Sequence, residues 1–253
     1  METQNEYKLI PGIRNSFSAG WDIMKDNFLR LFLVIIILSI VDAPFRMLNF
    51  NIGDHNDGPW NWNWNFWSLD HLGNMEKFIG LASLGIFAAF FILIALLYSF
   101  LVAPVFNYGG KMIFVQATRK IKPDFELFVK GFMENYLHII LANLLVFALV
   151  VLGCFALLIP GIIIGCRLAF VGFIVMDKKL DPIEAVEMSW RMTRGHGWKI
   201  FFMGIISFFI IIFGLIMLIV GIFPALVWIS SSFAALYESV NKEKEKPVEQ
   251  IAA

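Results

Sequence analysis

Two ionisable residues, Asp42 and Arg167, lie inside long apolar runs of the sequence. Helical rise places Asp42 about 21 Å from the start of its run, and Arg167 about 9 Å from the start of its own. If the two runs enter a membrane from opposite sides, these depths coincide within a hydrocarbon core of about 30 Å. Because an unpaired charge there is costly, we predict an intramembrane ion pair. Two alternatives stay open: Asp42 caps the chain before Pro44 while Arg167 extends to the surface, or the pair lines a substrate or proton path.

A second group of ionisable residues consists of bases that flank the apolar runs. Each Lys or Arg beside an anionic lipid surface contributes roughly 1 kcal/mol to binding. We therefore predict that six of them bind lipid headgroups: Arg119, Lys120, Lys122, Arg191, Arg194 and Lys199. The same charges also orient a membrane protein, and that explanation stays open.

Residues 59–67 read PWNWNWNFW, a segment rich in tryptophan and asparagine. Tryptophan is enriched where protein meets lipid headgroups, so we predict that four rings anchor an outer loop on the membrane: Trp60, Trp62, Trp64 and Trp67. A stacking surface for a glycan or a partner, and a disordered loop, are the alternatives. A weak metal site is a further alternative, but we predict no metal and no cofactor, because acidic and imidazole side chains in a loop are usually solvated: Asp54, His55, Asp57, Asp70 and His71.

The composition predicts the elements that position these residues. The chain has 253 residues, of which 59% are apolar and 16% charged, with a mean hydropathy of +0.74. Soluble domains are about half apolar and about a quarter charged, and here the apolar excess is concentrated in long runs. The net charge of zero does not favour a nucleic-acid partner. The sequence therefore predicts an all-α polytopic membrane protein.

Six apolar stretches are candidates for transmembrane helices, since a span takes about 20 apolar residues. They cover residues 28–48, 78–106, 137–159, 161–176, 200–220 and 222–237, and with their connections form one domain, 1–240. Proline and glycine separate the short fourth and sixth spans from their predecessors as tight hairpins, although one long kinked helix over 137–176 is a rival interpretation. Of the 20 Lys and Arg residues, 17 fall on one side. The positive-inside rule then places both termini and the tail, 241–253, in the cytoplasm, and the loop 49–77 outside.

Three amphipathic segments precede the first, third and fifth spans, at residues 13–28, 125–136 and 183–198. Each carries a small residue followed by an aromatic one, beginning at Gly20, Gly131 and Ser189. Such segments are typical of short helices that lie in the membrane interface. We therefore predict a three-fold tandem repeat, in which each unit is an interfacial helix followed by a transmembrane hairpin.

Residues 100–240 also resemble a known family in the positions of their turns and of a few charged, small and aromatic residues. The matching features are a Pro160-Gly161 turn, Arg167 in the next helix, and a helix containing Ser189 before Trp198, with further matches at Ala185, Gly195 and Ala235-Leu236-Tyr237. The pattern resembles uncharacterised six-span bacterial inner-membrane proteins related to the membrane domain of some glycerophosphodiester phosphodiesterases. The resemblance implies a fold and a bacterial cytoplasmic (inner) membrane location, and it implies no phosphodiesterase activity.

No nucleophile elbow, paired-histidine zinc helix or glycine-rich nucleotide loop occurs in the sequence, which argues against an enzyme. An intramembrane enzyme that uses Asp42 stays as an alternative. We predict a non-enzymatic membrane protein that organises lipid or a partner at the cytoplasmic membrane. Its predicted partners are membrane lipids, and another membrane protein or a second copy of the chain is an open alternative. A transporter of a lipid-like or apolar small molecule is the second prediction for function.

Overall fold

A computed structural model describes residues 7, 9–47, 75–217 and 219–252 of the chain. All regular secondary structure in these ranges is helical, in agreement with the predicted all-α class. The helices are α1 (Ile13–Met47), α2 (Met75–Leu101), α3 (Ala103–Thr118), α4 (Glu126–Met133), α5 (Tyr136–Ala156), α6 (Leu158–Arg167), α7 (Val171–Lys178), α8 (Pro182–Met192), α9 (Gly197–Ile216) and α10 (Ile219–Ala252). The chain divides into two compact units, residues 42–99 and the remainder.

Five helical segments in the described ranges are long and apolar enough to cross a membrane. They are Ala89–Thr118, Tyr136–Phe155, Ile159–Lys178, Gly197–Ile216 and Gly221–Glu245. The first predicted span, 28–48, is not among them; most of it lies in α1, and its last residue lies outside the described ranges. The segment Ala89–Thr118 corresponds to the predicted second span, 78–106, but continues beyond residue 106. It does so because Pro104 lies in the first turn of α3 and starts a helix there.

The larger unit contains both buried and peripheral helices. Helix α3 packs against α7 and α10, and half of the Gly221–Glu245 segment is buried, whereas 17% of Tyr136–Phe155 is buried. The outward side chains of α5 and α9 are large and apolar, as Phe155 and Phe209 show with exposed fractions of 87% and 62%. An apolar outer surface of this kind is what a lipid environment requires.

The residue just before each long apolar helix departs from ideal α-helical geometry in a similar way. These residues are Asn27 (φ −124°, ψ 22°), Asn135 (φ −126°, ψ 17°) and His196 (φ −114°, ψ 0°). All three lie near the bridge region of backbone space, which interrupts a helix without reversing the chain. The three junctions share this residue conformation, but only the third reaches it through a turn in which a residue has a positive φ, Gly195 at +88°.

The small residue of each amphipathic segment lies where another helix passes closely. A Cβ atom at Gly20 would lie 2.7 Å from the backbone nitrogen of Ser232 in α10, and one at Gly131 would lie 3.0 Å from a methyl carbon of Val105 in α3. The Ser189 hydroxyl donates a 2.8 Å hydrogen bond to the carbonyl oxygen of Arg167 in α6. The three amphipathic segments thus contact three different helices, α10, α3 and α6.

Candidate functional site

A cluster of charged and polar side chains joins the end of α3 to α7 and α10. The Arg119 guanidinium donates from Nη1 to Asp177 Oδ1 at 2.6 Å and from Nη2 to Asp177 Oδ2 at 2.7 Å. Its Nε donates to Glu238 Oε2 at 2.9 Å, and the Tyr237 hydroxyl donates to Asp177 Oδ2 at 2.8 Å. We call these four residues the Arg119 network.

The carboxylates of the Arg119 network are buried, since the side chains of Asp177 and Glu238 are 7% and 5% exposed. Burial acts to lower the pKa of the Arg119 guanidinium, but the hydrogen bonds to Asp177 and Glu238 outweigh burial and raise that pKa. Bidentate pairing of this kind holds both partners in one geometry. The arrangement is suited to holding three helices together.

Sequence reasoning did not place Asp177 or Glu238 in any site. A signal was present, because Arg119 and Asp177 are 58 residues apart, and Gly131 and Ser189 show the same separation. In the predicted repeat, Arg119 and Asp177 would therefore hold corresponding positions of two units. The prediction that Arg119 binds a headgroup stays a prediction, and the structure shows its guanidinium engaged by two carboxylates.

The other five predicted bases lie in the loop after α3, in α8 and the turn that follows it, and in α9. Lys120 is exposed in a left-handed conformation (φ 58°), with its Nζ 4.8 Å from the ring centroid of Tyr7. Lys199 donates from Nζ to the carbonyl oxygen of Pro11 at 3.1 Å. The remaining bases are exposed at the start of the loop after α3, at the end of α8 and in the turn after α8: Lys122, Arg191 and Arg194.

Arg167 ends α6, and only part of the hydrogen-bonding capacity of its guanidinium is used. Its Nη1 is buried and makes no hydrogen bond within the described part of the chain, and its guanidinium carbon lies 5.5 Å from the ring centroid of Trp190. Asp42 belongs to the other compact unit, so the predicted Asp42–Arg167 pair stays a prediction.

The sequence analysis counted the depth of Arg167, about 9 Å into its apolar run, along one straight helix. In the structure α6 ends at Arg167 and the chain resumes as α7 only at Val171. The Arg167 carbonyl oxygen accepts the hydrogen bond of Ser189, a residue of the predicted interfacial segment 183–198. The depth of Arg167 stays a prediction.

A pocket of about 420 Å³ lies beside Arg167, between α6 and the beginning of α9. Its walls are apolar apart from the arginine, and the lining residues are Ile159, Ile162, Ile163, Cys166, Arg167, Gly195, Gly197, Trp198 and Phe201. Gly195 adopts φ +88°, a conformation that glycine tolerates, and its turn leads the chain into α9. We call this cavity the Arg167 pocket.

A groove of about 620 Å³ continues from the Arg167 pocket along α6 and α9, and both cavities are lined by Ile162, Cys166 and Phe201. Gly165 and Gly204 form part of the groove, and a Cβ atom at either residue would have no neighbour within 4 Å. The two cavities together offer one charged end and a long apolar surface.

The described residues hold no group of three or more His, Cys, Asp or Glu side chains that could bind a metal ion. The predicted tryptophan anchors and the acidic and histidine residues of residues 49–74 lie outside the described ranges. Those predictions therefore stay as they were made.

The fold and these features define a class. In the described part, the chain is all-helical, and its five long apolar segments are compatible with a multi-pass membrane protein. Neither a protein-family model, nor a curated protein, nor a solved structure matches the chain. The resemblance to the bacterial six-span family accordingly stays a prediction.

Proposed function

We propose that this chain is a non-enzymatic multi-pass membrane protein that binds anionic lipid at the cytoplasmic face of a membrane. The observation that carries the proposal is the junction of α8 and α9, where exposed arginines adjoin exposed tryptophans. Arg191 and Arg194 are exposed, and the exposed fractions of Trp190 and Trp198 are 39% and 75%. We call these four residues the α8–α9 surface.

The side chains of the α8–α9 surface match the chemistry of a lipid headgroup layer. Guanidinium groups pair with phosphate through two parallel hydrogen bonds, and tryptophan rings lie at the boundary between hydrocarbon and water. Helix α8 also exposes Ile183, at 67%, so it presents apolar and basic side chains together. This combination is typical of a helix that lies in the membrane interface.

The proposal includes the topology predicted from sequence: six spans, both termini in the cytoplasm, and three repeated units. The shared backbone geometry at Asn27, Asn135 and His196 supports the repeat. The ion pair between Arg119 and Asp177 joins two residues with the same separation of 58 positions as Gly131 and Ser189, which fits the repeat. A bacterial inner-membrane location and the family resemblance belong to the same proposal.

Topology is tested by the accessibility of single cysteines in intact cells, with Cys154 and Cys166 replaced. Cysteines at positions 63, 120, 194 and 244 would be challenged with a membrane-impermeant thiol reagent. Position 194 is preferred over its neighbour because Thr193 is buried, whereas Arg194 is exposed. We expect labelling at position 63 alone, and labelling at 194 would overturn a cytoplasmic α8–α9 surface.

Lipid binding is tested with spin-labelled phosphatidylglycerol in bilayers that contain the purified protein. We expect the preference for this lipid over phosphatidylcholine to fall by up to about 30-fold in the variant Arg191→Gln/Arg194→Gln, since each of the two bases contributes roughly 1 kcal/mol. The matched control is Lys242→Gln/Lys244→Gln in the tail, which removes the same charge elsewhere. An unchanged preference in the Arg191→Gln/Arg194→Gln variant would contradict the proposal.

A transporter of a lipid-like molecule is the second candidate, and the groove along α6 and α9 is the observation that favours it. Transport predicts that purified protein in vesicles moves a fluorescent phospholipid between leaflets, which dithionite quenching measures. A binding protein without transport leaves that rate at the level of protein-free vesicles. Another membrane protein or a second copy of the chain remains within the proposal as a partner on the apolar outer surface.

A further inference from the structure

We infer that the Arg167 pocket binds the phosphate of one anionic phospholipid, with an acyl chain lying in the adjoining groove. Arg167 supplies the positive charge, and the apolar walls of α6 and α9 supply the surface for the chain. The inference deepens the proposed function and rests on it, since it assigns a single stoichiometric site within the proposed lipid-binding region.

The polar half of the inference rests on the unsatisfied guanidinium. A buried N–H donor without a partner loses the free energy that water would provide, so such groups in proteins are nearly always hydrogen-bonded. Arg167 Nη1 is buried and lacks a partner in the described part of the chain, while its guanidinium faces the ring of Trp190. Arg167 lines the pocket, so an oxyanion there would pair with its positive charge, and a rotation of the side chain would let it accept the hydrogen bond that the fold leaves unmade.

The pocket also selects among anions. Arg167 is the only ionisable base among the residues that line it, and none of these residues is acidic. One guanidinium balances the single charge of a phosphodiester, whereas a free phosphate ion carries more charge into apolar walls. The absence of an acidic lining residue leaves no partner for the cationic head of a zwitterionic lipid. A volume of about 420 Å³ is also far larger than the carboxylate of a fatty acid requires.

The apolar half of the inference rests on the groove that adjoins the Arg167 pocket. The groove shares wall residues with the pocket, and its other residues include Ile205, Phe208 and Phe209 along α9. Glycines at 165 and 204 keep it open, because neither position is filled by a neighbouring side chain. Burial of a methylene group contributes about 0.8 kcal/mol, so even part of an acyl chain would add substantially to affinity.

The experiment counts bound lipid on the full-length protein. Native mass spectrometry in detergent, with dioleoyl phosphatidylglycerol titrated at about 1 M salt, separates a tight site from surface binding, because the Debye length there is about 3 Å. We expect one retained lipid for the wild type. Arg167→Gln should weaken that binding about 10-fold or more, since a hydrogen bond to a charged group is involved.

Three further variants keep the result interpretable. Gly197→Leu should also weaken binding about 10-fold, because a side chain at this open position fills the pocket without meeting a neighbour within 4 Å of its Cβ. Arg167→Lys keeps the charge and should retain the lipid with a smaller loss. Arg14→Gln is the matched control, since it removes an exposed arginine of α1 that lies outside both the pocket and the α8–α9 surface.

Equal retention by the wild type, Arg167→Gln and Gly197→Leu would overturn the inference. Displacement of the lipid by inorganic phosphate or oleate at equal concentration would overturn its assignment to a phospholipid. Loss of lipid preference in Arg191→Gln/Arg194→Gln with an intact single site would sustain both proposals. If that variant retained the single lipid and its lipid preference were unchanged, the proposed binding by the α8–α9 surface would be wrong and the inferred site in the Arg167 pocket would stand.

Discussion

Arg119 and Arg167 are two arginines near helix ends in the same compact unit, and they differ in what satisfies them. Arg119 donates hydrogen bonds from Nε, Nη1 and Nη2 to two carboxylates of other helices. Arg167 keeps one buried nitrogen without a partner in the described ranges and faces an aromatic ring. A complete network specifies how helices pack, whereas an incomplete one marks a place where another molecule can supply the missing acceptor.

The surroundings of the two arginines differ in the same way. The Arg119 network lies among core residues such as Phe170 and Phe173, whose rings pack against Tyr237. The Arg167 pocket is bordered by a glycine-containing turn, and nearby His196 also has a buried ring nitrogen, Nδ1, without a hydrogen-bond partner among the residues that the structure describes. The unit thus combines a fully bonded helix junction with a junction that has unused hydrogen-bonding capacity.

The largest effect should come from breaking the Arg119 network. Asp177→Ala leaves Arg119 with one of its two carboxylates, and removal of one partner of a buried ion pair typically costs about 3–5 kcal/mol. We therefore expect a large fall in the midpoint of thermal unfolding in detergent. The control is Glu184→Ala, because Glu184 is an exposed acid on α8. A midpoint equal to that of the control would show that the network does not hold the helices.

The next effect concerns the close approach of α1 and α10. Gly20→Ala places a Cβ against backbone and side-chain atoms of Ser232, and overpacking of this kind costs about 1–3 kcal/mol. Gly204→Ala is the matched control, because the same added methyl group meets no atom within 4 Å there. Denaturant or thermal unfolding should separate the two variants. If Gly204→Ala proved the more harmful, the helix packing described here would be wrong.

The comparison of Arg119 with Arg167 also depends on whether the predicted Asp42–Arg167 pair forms. If Asp42 satisfies Arg167, the double variant Asp42→Asn/Arg167→Gln should be less destabilised than the sum of the single variants. A coupling free energy of about 0.5–3 kcal/mol is typical of residues in contact. Additive effects on unfolding would leave Arg167 without this partner and would favour the pocket interpretation.

The smallest effect should be a pH dependence at His196. Burial and the neighbouring charge of Lys199 lower the pKa of this imidazole, while Glu243, whose carboxylate lies 3.3 Å from Nε2, acts in the opposite direction. Two weaker effects act on the same pKa: a hydrogen bond to the backbone of Arg194 raises it, and the charge of Lys244 lowers it. The net shift is downward.

The sign of the effect follows from that shift. Since the unfolded chain binds the proton more readily, the stability contributed by neutral His196 is present above the unfolded pKa of about 6.5 and is lost as pH falls below it. His196→Gln should flatten this part of the unfolding profile between about pH 7 and pH 5. A wild-type profile that rises as pH falls through this range would contradict the assignment.

The local sequence pattern was sufficient to predict much of the fold. Long apolar runs predicted the helical class, and the amphipathic segments were predicted to end near Asn27, Asn135 and Gly197, where the structure has its breaks. Local pattern was misleading at Pro104, since proline ends one helix and starts another equally well. These features depend on residues a few positions apart, and the sequence displays such residues together.

The two arginine sites were decided by the tertiary structure. Asp177 and Glu238 lie 58 and 119 residues after Arg119, and only packing of α3, α7 and α10 brings their carboxylates within hydrogen-bonding distance. The Arg167 pocket likewise depends on a turn at Gly195 that brings α9 beside α6. The sequence determined which residues could carry charge into an apolar environment. Long-range packing determined which of those charges were neutralised within the protein, because electrostatic pairing depends on distances in space.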